Sequence, residues 1–189
     1  MIPLPNECYY VIFNNICHDY KNLFSCSLVN RHWCKIIIPI LWSKPNLEDI
    51  RLIRMFLLTL NVNEQALLIP FKITLPSHSK LLFEYTNYIT SVNCHLHDGI
   101  RNWLACEGFE KNGWGEVPRE LEYAVENSLI AMFLRTSKNI KSLYLTEIIC
   151  NQLIYENLYK NTTVASMYLC MISDGFKSKA IDALKEEKR

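Results

Sequence analysis

The sequence predicts a mainly α-helical chain: a three-helix bundle at the N-terminus, a helical middle region and a short α/β segment at the C-terminus. Three observations predict it. Apolar side chains make up well over half of the stretch from Met1 to Trp42, against 50% of the whole chain, and they fall into three short runs of helical spacing. Apolar stripes of the same period continue through the middle. Near the C-terminus one apolar pattern occurs twice, from Ile140 and again from Val164, each copy combining a short alternating segment with a helical stripe. A length of 189 residues suits one ordinary domain or two small ones, and the 50% hydrophobic share excludes global disorder. With 20 Lys+Arg against 19 Asp+Glu there is no overall field to hold a polyanion, so partners must be recognised by shape.

The first helix starts at Pro5, whose missing N–H costs nothing in a first turn, with Glu7 facing the positive end of the helix dipole. Cys8, Val11, Ile12 and Ile16 follow at helical spacing as its expected inner stripe, and Asn14 and Asn15 bring the pattern to an end. Asp19 is the expected N-cap of a second helix carrying Tyr20, Leu23, Phe24 and Leu28. A third begins at Val29 or Asn30, with Val29, Trp33, Ile36 and Ile37 on one stripe and Arg31, His32 and Lys35 elsewhere, until Pro39 halts it. A bundle of about forty residues is smaller than usually holds itself together without disulfides, metal or a partner. Tyr9, Phe13, Ile38, Leu41 and Trp42 lie off the inner stripes, and this apolar surplus implies a protein partner.

Beyond Ser43-Lys44-Pro45, a helix over about 47–60 is expected from Ile50, Ile53, Leu57 and Leu60. A short helical turn from Glu64 to Ile69 precedes Pro70, and Phe71 to Leu75 alternates like a brief strand or an extended linker. Two further helices are expected over 81–92 (Leu82, Tyr85, Ile89) and 96–106 (Leu96, Ile100, Trp103, Leu104). Gly108, Gly113, Gly115 and Pro118 mark an exposed loop over 107–118, in which Trp114 either packs the loop or serves recognition. Residues 119–134 read as a helix with Leu121, Val125, Leu129 and Met132 or Phe133 turned inward. The repeat follows: Ile140-x-x-Leu143-x-Leu145-x-x-Ile148 recurs as Val164-x-x-Met167-x-Leu169-x-x-Ile172, with helical stripes at Leu153, Ile154 and Leu158 and at Phe176, Ala180, Ile181 and Leu184. A period of 24 lies in the leucine-rich-repeat range, but two units are fewer than a stacked array needs, so the array reads as truncated. The charged tail from Lys177 to Arg189 is expected to be a solvated helix face.

Nothing in the chain suggests bond chemistry. There is no Gly-rich phosphate loop, no Gly-x-Ser-x-Gly and no His-Glu-x-x-His, and no catalytic residue is assigned. His32 and Cys34 would be the first place to look for a dispersed Cys/His site, but residues two apart sit on different helix faces. The eight cysteines include no Cys-x-x-Cys pair and are expected to be reduced thiols used as small apolar side chains. Cys94-His95-x-His97 is the nearest approach to a metal cluster, yet it lacks a second ligand pair and Gly99 follows as in a turn. No metal and no cofactor are expected. Met1 to Glu7 lacks the basic start of a secretory signal, and Leu52 to Phe71 is interrupted by Arg54, Asn61, Asn63, Glu64 and Gln65, so it is read as core and not as a bilayer span. A cytoplasmic or nuclear location is expected.

Leu4-Pro5-x-Glu7, Ile12-Phe13, Leu23, Ser27-Leu28-Val29-Asn30-Arg31-x-Trp33 and Leu41-Trp42 resemble the F-box, in the order and at the N-terminal position that family uses. Phe24 to Cys34 is similar in wording to the expanded F-box families of fungi. The resemblance divides the chain into an F-box (1–43), a helical linker region (44–106), a loop (107–118) and a helix followed by about two leucine-rich-repeat-like units (119–189). Asn161-Thr162-Thr163 and the tail from Gly175 are similar to ribonuclease-inhibitor-type repeats, although Ile148 and Ile172 stand where Asn or Cys is usual. The resemblance implies binding to the adaptor Skp1 and, through it, to a cullin and a RING subunit in an SCF-type ubiquitin ligase. It assigns Leu4, Pro5, Glu7, Ile12, Leu23, Leu28, Val29, Trp33 and Trp42 to the Skp1 interface or its direct support. Whether Val29 and Trp33 touch the adaptor or form the bundle's own core is left open by the residues. Cys17 departs from the family, standing where many relatives have Leu. The implied role is a non-catalytic substrate receptor that presents an unknown target protein. The alternative is a Skp1-binding interaction module or truncated paralogue with no degradation substrate.

Overall fold

The computed structural model describes residues 4–73, 75, 84–109, 117–145 and 152–169. Trp114, the end of each repeat pattern at Ile148 and Ile172, and the charged tail lie outside these residues. Within them the chain is mainly helical, with a small parallel sheet. The helices are α1 (Asn6–Asn15), α2 (Tyr20–Ser27), α3 (Arg31–Leu41), α4 (Ile50–Leu57), α5 (Val62–Ala66), α6 (His95–Cys106), α7 (Arg119–Thr136) and α8 (Gln152–Lys160). The strands are β1 (Ser91–Val92), β2 (Ser142–Leu145) and β3 (Ser166–Leu169). No helix of the described residues is long and apolar enough to cross a membrane.

Asp19 caps the second helix as expected, and the first and third helices start within two residues of where the sequence puts them. Pro5 precedes α1, Asp19 accepts from the Asn22 N–H, and Asn30 accepts from the Trp33 N–H at 2.8 Å. Two expectations are corrected. Helix α1 turns Tyr9 and Phe13 inward, joined by its C-cap Ile16, and leaves Cys8, Val11 and Ile12 exposed, so that of the expected inner stripe only Ile16 packs on the core. It has apolar residues on two faces, and the aromatic face wins because Tyr9 and Phe13 both pack against Trp33, at ring-centroid distances of 5.9 and 5.2 Å. Helix α3 does not stop at Pro39 but continues to Leu41. A proline in the last turn forfeits a single ladder bond, and Ile40 and Leu41 regain burial against the small core of Phe13, Leu23, Ile36 and Ile37.

A second and larger apolar cluster runs from Leu47 to Val164. Its axis is α7, in which 11 of 18 residues are buried, including Leu121, Val125, Leu129, Met132 and Phe133 as the periodicity requires. Ile130, Ala131 and Leu134 are buried too, because α6, α5 and α8 pack around α7 on different sides. Two polar devices lock these neighbours. The carboxylate of Glu64, wholly buried, accepts from Arg135 Nε at 2.6 Å and Arg135 Nη2 at 2.9 Å, and completes a capping box with Asn61. Across the α6–α7 seam, buried Glu122 takes Arg101 Nε at 3.0 Å, and His97 Nδ1 lies 3.2 Å from buried Glu126.

The hydrogen bond to Glu126 is the main reason that the His97 imidazole titrates above its ordinary range; the nearby charges of Glu126 and Glu122 add to this, while burial and Arg101 oppose it. A raised folded-state pKa means that the protonated ring favours the native state. The stabilisation is complete below about pH 6.5, the unfolded value, and is lost as pH rises through the folded value. The melting temperature is therefore expected to fall between about pH 6 and pH 8.5, with a flatter profile in His97→Gln, as followed by circular dichroism. Equal slopes for the two proteins would show that His97 carries none of it.

Between these clusters two segments differ from expectation. Ile69–Phe71 forms a 3₁₀ turn that closes on Lys72 at φ 56°, so Phe71 starts no strand; Thr74 lies outside the described residues. Where a helix is expected over 81–92, a 3₁₀ turn at Tyr85–Tyr88 leads into β1; residues 81–83 are outside the described set. Sheet pairing overrides the helical pattern here, because the Thr90 carbonyl accepts from the Lys141 N–H at 2.8 Å and Ser91 and Val92 pair with Ser142 and Leu143.

The strand order is β1-β2-β3, all parallel, and β2 and β3 pair Ser142 with Ser166 through Leu145 with Leu169, the same offset as the repeat in the sequence. Backbone bonds before the strands form a rung-like series: Thr90 N–H to Ser43 O, Lys141 N–H to Thr90 O, and Ala165 N–H to Lys141 O. Polar side chains reinforce it from within. Ser137 Oγ donates to the Ile89 carbonyl, and Asn161, one repeat further on, donates to the Leu134 and Ser137 carbonyls while accepting from the Thr163 and Val164 N–H groups.

Candidate functional site

The N-terminal unit has a small interior and an apolar exterior. Eight of the twelve exposed large apolar side chains found among the described residues lie between Leu4 and Val29, in a unit whose own core has only four buried apolar residues. They are Leu4 before α1; Tyr10, Val11 and Ile12 on α1; Tyr20 and Phe24 on α2; and Leu28 and Val29 in the turn into α3. Scattered exposed apolar residues are ordinary, but their concentration on so small a unit is not.

The turn shows how local structure makes this surface. Leu28 closes α2 by donating its N–H to Ser25 O, and Val29 donates to Cys26 O. Asn30 then caps α3 at once. Since Leu23 and Ser27 already fill the inner face of α2, and Ile36 and Ile37 that of α3, Leu28 and Val29 are left facing solvent, 71% and 61% exposed.

The nine residues assigned from the sequence separate into three groups. Leu4, Pro5, Glu7, Ile12, Leu28 and Val29 are exposed. Leu23 is fully buried and Trp33 is half-buried against Tyr9 and Phe13, so both support the surface from beneath. Trp42 is turned away from it: the indole lies 4.3 Å from the Tyr85 ring and packs edge-on to Phe56, joining the N-terminal unit to the large core. The expected surplus also changes membership. Phe13 is core, Tyr9 and Leu41 pack against it, and Ile38 is half-buried, whereas Val11, Tyr20 and Phe24, which the periodicity put on the helical stripes, are exposed, as is Tyr10, which it did not single out. A helix with two apolar stripes carries one signal that could have found them: only one stripe can face a neighbour.

His32 and Cys34 do not form a nucleophile–base pair. The His32 ring packs edge-on against Tyr9, 5.4 Å away, while Cys34 lies near Tyr85, whose phenol is pushed up chiefly by burial and then by that thiol. Cys94, His95 and His97 do not converge either. His97 reaches Glu126, His95 Nδ1 meets Glu48 Oε1 at 2.6 Å, and the Cys94 side chain is exposed. Gly99 is not in a turn but inside α6.

No family model, no curated protein and no solved structure matches this chain.

Proposed function

We propose that the protein is the substrate-receptor subunit of an SCF-type ubiquitin ligase, in which residues 1–43 act as an F-box that binds Skp1 and the remainder holds a target protein. The observation that carries this reading is the concentration of exposed apolar side chains on the small N-terminal unit, on residues that match the F-box pattern at Leu4, Pro5, Ile12, Leu28 and Val29. Covering a side chain of this kind is worth about 1.5–3 kcal/mol, so a few of them together support a stable interface. The role is one of approximation: the receptor raises the effective concentration of a target lysine beside a charged ubiquitin carrier and makes or breaks no bond. The repeat-length offset between β2 and β3, and the polar residues recurring at Ser137 and Asn161, support a leucine-rich-repeat-like target-binding region.

Co-purification of the full chain with recombinant Skp1 tests the first part. The double variant Leu28→Asp/Val29→Asp is expected to lower affinity by about a hundredfold or more, as loss of two buried anchors requires. Both side chains are solvent-facing, so the melting temperature should hardly change. Failure of the unaltered chain to bind Skp1, or equal binding by the variant, overturns the assignment. The second reading, a Skp1-binding module without a degradation target, is favoured by the shortness of the sheet among the described residues. Accumulation of a proteasome-sensitive protein on deletion decides for the receptor.

A further inference from the structure

We propose that Glu48, His95 and Asp98 form a surface site for a divalent transition-metal ion of the zinc class. The three residues come from two segments. His95 opens α6, Asp98 follows one turn later on the same helix, and Glu48 belongs to the turn before α4. His95 Nδ1 lies 2.6 Å from Glu48 Oε1 and 4.0 Å from Asp98 Oδ2, and one donor atom from each residue falls within 4.8 Å of the others. One imidazole nitrogen with two carboxylate oxygens is a donor set suited to such ions, which bind histidine and carboxylate ligands at about 2.0–2.2 Å and complete their shell with water. All three side chains are exposed, so water can reach the open positions.

One feature distinguishes this group from an ordinary ion pair. Two carboxylates flank one histidine, and although no Lys or Arg lies within ion-pair distance of either among the described residues, the Arg101 charge is near enough to act on Asp98. The helix dipole accounts for Asp98 in the first turn of α6, but not for Glu48, which belongs to another segment. Glu48 is held there by packing: a Cβ on Gly99 would stand 1.9 Å from the Leu47 carbonyl oxygen and 3.1 Å from Glu48 Cα, so the backbone of residues 47–48 lies directly on α6, one residue beyond Asp98. On binding, the ion replaces the proton between His95 Nδ1 and Glu48, which moves to Nε2 or to solvent, and the Asp98 carboxylate closes in by rotation of an exposed side chain.

Titration of the full chain with Co²⁺, followed by absorption and competed with Zn²⁺, tests the site. One equivalent is expected to bind with a weak nitrogen/oxygen-type spectrum lacking thiolate charge transfer. His95→Ala, Glu48→Gln and Asp98→Asn should each weaken binding by at least about tenfold, a loss already produced when an outer-shell partner of a metal ligand is removed. Cys94→Ser should bind like the unaltered chain. The proposal is overturned by undiminished binding in His95→Ala, by a thiolate band that disappears in Cys94→Ser, or by no Co²⁺ binding at millimolar metal.

Discussion

Arg135→Met is expected to lower the free energy of unfolding by about 3 kcal/mol, the lower end of the range for breaking a buried ion pair by removing one partner. Arg135 is the partner of Glu64, whose side chain has no exposure at all, while Arg135 keeps about a third of its own. Its guanidinium donates to both Glu64 oxygens and to the Thr59 carbonyl, and Ser128 holds the Glu64 backbone carbonyl from α7. Methionine retains much of the arginine stem but leaves a carboxylate enclosed without a cation. Most of the loss is thus the cost of the orphaned charge and not the worth of the pair. Adding Glu64→Gln should recover part of it, because the amide keeps the capping bond to Asn61 and carries no charge. Urea unfolding of the single and double variants measures the coupling. A loss below about 1 kcal/mol for Arg135→Met would mean that water already screens the pair.

Gly99→Ala is expected to destabilise by about 2–3 kcal/mol, although Gly to Ala in an open helix gains about 1 kcal/mol. The new methyl would lie 1.9 Å from the Leu47 carbonyl oxygen and 3.0 Å from its carbon, and these are backbone atoms that no rotamer change can move aside. The turn before α4 has to lift off α6, which breaks the packing of Leu47, itself 1% exposed, in the large core. Thermal melts of Gly99→Ala beside Ala105→Gly, a helical alanine change of the opposite sense on the same helix, separate close approach from propensity: propensity alone raises stability in the first and lowers it in the second. A stabilised Gly99→Ala would refute the close approach.

Much of this was legible from residue order. Asp19 announces its helix because a side-chain oxygen beside an unpaired N–H is a local device that needs no distant partner, and Asn30, expected only as a possible first residue of the third helix, proves to cap it in the same way. Helices α4, α6 and α7 follow from single apolar stripes, and the recurrence of the Ile140 pattern at Val164 becomes the β2–β3 register because each copy meets the same neighbour. Segments with non-local partners were not legible. Residues 84–92 read as helical, yet the Lys141 N–H and the Ser43 carbonyl hold Thr90 in a strand-like path. Glu64 reads as one of the polar interruptions of the Leu52–Phe71 run, and nothing in that run shows that its charge is met by Arg135, far along the chain. In the candidate site, Leu4, Ile12, Leu28 and Val29 were found from their motif, whereas Phe24 was missed because spacing put it on the inner stripe with Leu23.

The sequence by itself determined that this chain is mainly helical, where its first three helices begin, and that more apolar residues gather at its N-terminus than so small a bundle can enclose. Only the tertiary structure decided which apolar face of α1 turns inward, that Trp42 joins the two cores, and that Gly99 admits a backbone where any side chain would collide. The physical reason is one of range. Periodicity states which residues share a face, and capping depends on atoms a few residues apart, but the choice between two apolar faces depends on the area each buries against elements remote in sequence.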